Sequence, residues 1–346
     1  MPQALRSTTS PGAADMSHVL FAGTNHHKPV VLACVDRSRH GRRVLAHAGA
    51  LAAAMNGELV LMRVLDPHTG DDLPPDPVDW EVRRREAGSA LARLAERSGL
   101  EAEIVLAQGR PVEEIFHEAA RLDADVIVLG RFGEDVEDKE RAARIGATAR
   151  AILERAHEKV LLVPENDQQT HGFRRILVPL DGSCWAESAL PTAMHLARST
   201  GAEIVLAQIV TPPEFVCPTP PEPDDTDLLT RLMDRNNRAA RNYLERLRGI
   251  LAEQGLTVGA RVVAGADARD RLLELLREDA FELVVLSSRG SGFRHLPGHH
   301  FGSVAAHLSF HSDIPLLVVR PETKVAHRHS RRRAVALAPQ SAAFLA

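Results

Sequence analysis

The residues best suited to chemistry lie within 283–304, LVVLSSRGSGFRHLPGHHFGSV. The apolar run 283–286 is short enough for a strand buried on both faces. Small residues follow at once: Ser287, Ser288, Gly290, Ser291 and Gly292. After a longer loop, Gly302 and Ser303 lead into an alanine-rich helical segment at 304–311. A strand that empties into a glycine-rich loop and then a helix N-terminus can surround an anion with backbone N–H groups. Glycine lets the main chain approach phosphate oxygens with no Cβ in the way. The chemistry this predicts is the holding of a phosphate.

The elements that position this loop recur twice. Apolar runs at 29–36, 58–66, 100–107, 125–130 and 159–163 alternate with helical stretches. After a polar stretch the same order returns, with strands at 175–181, 203–210, 257–263, 282–286 and 315–319. Helices are predicted at 183–199, 228–251 and 267–278, besides the one at 304–311. Asp36 and Asp181 stand 145 positions apart, as do Glu58 and Glu203. Gly109 and Gly265 stand 156 apart, as do Gly146 and Gly302. One insertion between the second and third strands, with register kept on either side, is what a duplication leaves. Strands alternating with helices predict an α/β fold with parallel sheets. The expected layout is a disordered lead-in at 1–28, one domain at 29–165, a linker at 166–173, a second domain at 174–321 and a disordered basic tail at 322–346.

Composition narrows the function. The 346 residues carry a net charge of −4, which makes no electrostatic case for nucleic acid. Aromatics are 4%, too few for base-stacking platforms. The three cysteines, Cys34, Cys184 and Cys217, have neither disulfide-framework nor zinc spacing, which fits a reducing compartment. No apolar run approaches membrane-spanning length, and no secretory leader is evident, so the expectation is a cytoplasmic protein with no membrane partner.

With VPLDGS at 178–183, GSV at 302–304 and PLLVVRP at 315–321, the chain resembles the universal stress protein family in its tandem form. The resemblance runs from Pro29 to Pro321. It implies two doubly wound five-stranded parallel domains of strand order 3-2-1-4-5. One branch of that family binds ATP through a strand-one Asp and a G-x-x-G-x9-G-[S/T] loop. The resemblance therefore implies ATP, with or without Mg, as the ligand. Pro179 and Asp181 would meet the nucleoside, Ile209 and Leu286 would flank adenine, and Ser287, Gly290, Gly292, Gly302, Ser303 and Val304 would surround the phosphates. In an order 3-2-1-4-5, strands one and four are neighbours whose outgoing connections diverge, so a crevice opens between their C-terminal ends.

The glycine loop departs from the family spacing. Counted from Gly290, eleven residues precede Gly302; counted from Gly292, nine do, and Arg289 then takes the first glycine position. Pro297, Gly298, His299 and His300 read as an insertion. The first repeat departs further: Gly130 and Gly133 are kept, but Ala147 replaces the serine and Glu134, Asp135, Glu137, Asp138 and Glu140 crowd the loop. Carboxylates beside a polyphosphate repel it. The first repeat is therefore expected to be a degenerate, structural partner that pairs with the second domain or supports a homodimer. His295, His299, His300, His307 and His311 lack a completing Cys or carboxylate and do not predict a metal site. Neither G-x-x-x-x-G-K-[ST] nor G-x-S-x-G occurs, so no catalytic residue is assigned. The expected role is a nucleotide-binding stress regulator, not an enzyme, acting on an unidentified protein partner. The alternatives are a non-nucleotide tandem scaffold and a slow ATPase.

Overall fold

Runs of Val, Ile and Leu without polar alternation satisfy both faces only inside a sheet covered by helices on either side. In the computed structural model, which describes residues 28–38, 40–67, 76–133, 145–165, 172–212, 223–292 and 302–321, that is where they lie. The predicted lead-in, basic tail, acidic loop and 297–300 insertion fall outside the described residues, apart from Lys28. The first repeat supplies β1 (Val30–Cys34), β2 (Glu58–Leu65), β3 (Glu103–Gln108), β4 (Val126–Gly130) and β5 (Lys159–Val163). The second supplies β6 (Arg175–Pro179), β7 (Glu203–Val210), β8 (Val258–Ala264), β9 (Leu283–Ser287) and β10 (Leu316–Val319).

These form one ten-stranded sheet in the order β3-β2-β1-β4-β5-β10-β9-β6-β7-β8, so each half has the expected 3-2-1-4-5 arrangement. All neighbours within a half run parallel; the halves meet antiparallel, with Leu162 opposite Leu316, Leu161 opposite Leu317 and Val160 opposite Val318. The two domains are thus paired within the chain. These seam residues are fully or almost fully buried, and truncating one of the leucines to Ala costs roughly 2–5 kcal/mol.

One face of the sheet is covered by α1 (Gly41–Met55), α2 (Pro77–Ser98), α6 (Leu190–Thr200) and α7 (Pro223–Glu253), and α1 packs against α6 across the seam. The other face carries α3 (Pro111–Arg121), α4 (Ala147–Arg155), α8 (Ala268–Glu278) and α9 (Ser303–His311). Two expectations change here. The helix predicted at 183–199 is two helices, α5 (Cys184–Glu187) and α6. Pro191 has no N–H to continue the ladder, and its ring would meet the carbonyl four residues back, at Glu187. Phe173, placed in the linker by its polar neighbours, is a core residue at 2% exposure, packed beside His47.

Two arginines lock the halves together. Arg131, which follows β4, sends Nη1 to the Phe310 and Ser312 carbonyls at 3.0 and 2.9 Å, capping the C-terminus of α9. In the other direction, Arg320 donates to the Leu153 carbonyl near the end of α4. A cation at a helix C-terminus satisfies orphan carbonyls and complements the dipole. Burial pushes the Arg131 pKa down, and Asp313 and Glu165 act against that.

Candidate functional site

Strands β6 and β9 are adjacent and parallel, so the chain leaves both at the same edge of the sheet. Asp181 stands just beyond β6. Its Oδ1 accepts from the Ser183 amide at 3.0 Å and the Ser183 hydroxyl at 2.6 Å, an arrangement that turns the chain into α5. Ser183 also caps α5, its Oγ accepting from the Ala186 amide at 3.2 Å. The other carboxylate oxygen, Oδ2, accepts from the Ser291 amide at 2.6 Å, across 110 positions of sequence. Asp181 therefore latches the glycine loop of β9 onto the end of β6, and Ser291 is a held residue of that loop. Partial burial, the largest single influence, pushes the Asp181 carboxyl up. The hydrogen bonds from Ser183 and Ser291 outweigh it and hold the pKa below the ordinary 3.8.

The latch also identifies the glycine that matters. A Cβ on Gly290 would lie 2.5 Å from Asp181 Oδ2, whereas one on Gly292 would meet nothing within 4 Å. Gly290 is the position that requires a bare backbone. Ser288 donates its amide to the Val319 carbonyl at 2.8 Å and accepts the Gly302 amide at 2.7 Å, which brings the start of α9 against the loop. Gly302 thus spends its N–H within the fold. The amides of the first turn of α9, beginning with Ser303 and Val304, are the groups free of the helix ladder. Pro179 lines the edge half-buried, Leu286 is buried, and Ile209 packs on the same face as Leu286. Ser287 is buried, its hydroxyl 3.3 Å from that of Ser188 and accepting the Arg289 amide at 3.2 Å. The Arg289 guanidinium lies over the Trp185 ring, 5.8 Å from its centroid.

The first repeat reproduces this frame. Arg131 donates its amide to Val163 O at 2.9 Å and accepts that of Gly146 at 2.8 Å, the same closure made by Ser288. Asp36 Oδ1 accepts from the Ser38 amide at 2.9 Å, and a Cβ on Gly133 would approach Asp36 Oδ2 at 3.4 Å. Here the edge opens into a cavity of about 470 Å³. Cys34, Asp36, Val64 and Leu129 line it, at the places that Pro179, Asp181, Ile209 and Leu286 hold in the second repeat. So do Gly130, Gly133, Gly146, Ala147 and Thr148, matching Ser287, Gly290, Gly302, Ser303 and Val304. Nine of the ten residues read from the second repeat thus have a first-repeat counterpart lining this cavity. A wider, shallower groove of about 760 Å³ between α1, α2 and Thr200 contains none of them.

Sequence reading missed Ser38 and His40 in that cavity. The one signal was Gly130: a Cβ there would lie 2.4 Å from His40 Cδ2. Burial pushes the Cys34 thiol up to about 12, which disfavours the thiolate form. His307 and His311 stack with centroids 4.4 Å apart; among the described residues no group of three or more His, Cys, Asp or Glu is placed to hold a metal. Among the described residues no helix is long and apolar enough to cross a membrane.

Comparison with known proteins agrees with this architecture. The model of the universal stress protein family matches the chain twice, at residues 29–164 and 172–320. Universal stress protein MJ0531 of Methanocaldococcus jannaschii is 25% identical over 155 residues, covering 43% of this chain and 88% of its own. Universal stress protein YxiE of Bacillus subtilis is 27% identical over 157 residues, covering 43% of this chain and 99% of its own. A solved universal stress protein from Archaeoglobus fulgidus shares the fold at a TM-score of 0.61 and 20% identity, over 84% of this chain and 98% of that one. The chain belongs to the universal stress protein family and carries two of its domains in tandem.

Proposed function

We propose that this protein is a stress-response regulator that binds an adenine nucleotide, ATP with or without Mg, in its second repeat. The observation that carries this reading is the Asp181 carboxylate, held between the end of β6 and the Gly290–Ser291 backbone. Asp181 Oδ2 accepts one amide there, and a nucleoside hydroxyl or amine is a donor of the same kind. Entry of a nucleotide would replace the Ser291 N–H with a ligand donor and release the loop. The Ser303 and Val304 amides and the Ser303 hydroxyl would take phosphate oxygens at the positive end of α9. One carboxylate oxygen then couples occupancy to loop conformation, which a partner protein can read. Binding and conformation, not turnover, are the output of this arrangement.

The competing reading, a tandem scaffold without nucleotide, treats the Asp181–Ser291 bond as permanent. Denaturing the purified full-length protein and identifying released small molecules by mass spectrometry separates the two, together with titration of Mg-ATP into the emptied protein. The proposal expects an adenine nucleotide, or saturable binding at one site per chain. Neither release nor binding at millimolar ATP would leave the scaffold reading standing.

A further inference from the structure

We propose that the cavity of the first repeat binds an uncharged ring compound bearing N–H or O–H donors, and not a nucleoside polyphosphate. This goes beyond the nucleotide reading of the second repeat and does not rest on it. A volume of about 470 Å³ suits a small organic ligand. His40 lines it at 7% exposure, with Nε2 3.0 Å from the Val163 carbonyl oxygen. A carbonyl only accepts, so Nε2 carries the proton and Nδ1 is left a bare acceptor. Among the described residues Nδ1 has no partner, and neither does the buried hydroxyl of Ser38, on the same cavity wall. Buried polar atoms without partners are uncommon in folded proteins, and two in one cavity point to a ligand that supplies them.

The second repeat shows how the same positions look when they are satisfied internally. Ser183, the counterpart of Ser38, donates to Asp181 and caps α5; Trp185 stands in place of His40. The histidine is also built in. It fits only because residue 130 is glycine, since a Cβ there would sit 2.4 Å from its Cδ2. Val44, Met62, Val64 and Leu129 give the cavity apolar walls. Among the described residues the only formally charged side chain lining it is Asp36, and α4 begins with Ala147, which has no hydroxyl. One open acceptor at His40 Nδ1, a Ser38 hydroxyl free to donate or accept, and apolar walls favour a neutral ring bearing a donor, and Ala147 offers a phosphate no hydroxyl where Ser303 stands in the second repeat.

The test uses the full-length protein with ¹⁵N-labelled histidine and a panel of neutral amino- and hydroxy-heterocycles. Benzimidazole, 1-methylbenzimidazole and benzimidazole-5-carboxylate form a matched set with a donor, without one, and with an anion. At least one neutral panel member should bind one per chain and shift the His40 Nδ1 resonance, assigned with His40→Phe. Removing its donor or adding a carboxylate should each weaken binding at least tenfold. Ala147→Trp, at an exposed position on the cavity mouth, should abolish binding, and it keeps the test decisive if His40→Phe fails to fold. The proposal is overturned if no neutral member binds at millimolar concentration, if the donor-free or anionic analogue binds equally well, if binding survives Ala147→Trp, or if ATP displaces the ligand.

Discussion

Gly302→Asp places a carboxylate at the N-terminus of α9, and the structure predicts opposite effects on stability and on binding. Gly302 has φ −70° and ψ 153°, a conformation open to any residue. An added Cβ would meet Ser288 O at 3.5 Å, the Gly290 amide nitrogen at 3.6 Å and Arg289 Cα at 3.7 Å, all ordinary contacts. Aspartate is a favoured N-cap, so α9 should gain a few tenths of a kcal/mol over glycine. The new carboxylate would take first-turn amides that the phosphates need. At a separation of about 4 Å and an effective dielectric constant near 20, each unit of phosphate charge costs about 4 kcal/mol, roughly a thousandfold in affinity. Salt at this exposed edge makes that an upper figure. Calorimetric titration of Mg-ATP, paired with a thermal melt of the nucleotide-free protein, reads both quantities. The expected variant melts at or slightly above the parent temperature and binds no ATP. Ser291→Ala, which keeps the backbone N–H that Asp181 holds, should change affinity only a few-fold. A folded Gly302→Asp protein that still binds ATP would refute the placement of phosphates at α9.

Other perturbations probe the frame. Arg131→Met keeps the bulk of the side chain but strips two carbonyls at the end of α9 of a charged donor; unfolding in urea should show a loss of roughly 2–4 kcal/mol, and a change below ~0.5 kcal/mol would mean the cap carries no weight. Asp181 has a depressed pKa, so its latch contributes fully above the ordinary value of 3.8 and is lost as pH falls through the lower folded value. The Ser291 amide resonance should therefore titrate with a midpoint below 3.8, and a midpoint above it would contradict the hydrogen bonds assigned to that carboxylate. In Asp181→Asn the same amide should exchange faster with solvent at pH 7, because a neutral acceptor holds it less strongly.

Much of the fold could be read from the chain because apolar runs without alternation leave few options. Runs such as residues 283–286, short and followed by small residues, suit buried strands, and two equal series of five imply two equal halves. The antiparallel seam was not legible, since Val160 and Leu317 carry no mark that distinguishes a strand inside a half from one at the join. The break between α5 and α6 was marked by Pro191, but the helical period on either side hid it. Within the site, Asp181 and the β9 loop could be placed at one edge, yet the bond between Asp181 and the Ser291 amide could not. Which side chain at a strand end takes which backbone amide depends on loop geometry 110 positions away. Counting glycines left Gly290 and Gly292 equivalent; only the distance to Asp181 separates them. In the first repeat the acidic loop is the conspicuous sequence feature, whereas His40 is marked only by the missing Cβ of Gly130.

Hydrogen exchange of the full-length protein with and without Mg-ATP, read by mass spectrometry, tests most directly whether the nucleotide belongs to the second repeat. Binding there should slow exchange in the first turn of α9, from Ser303 onward, and alter it in residues 287–292 where Asp181 gives up Ser291. Residues 130–133 and 146–149, the matching segments of the first repeat, should exchange as before. Protection confined to those first-repeat segments, or unchanged exchange in both repeats at saturating ATP, would contradict the account.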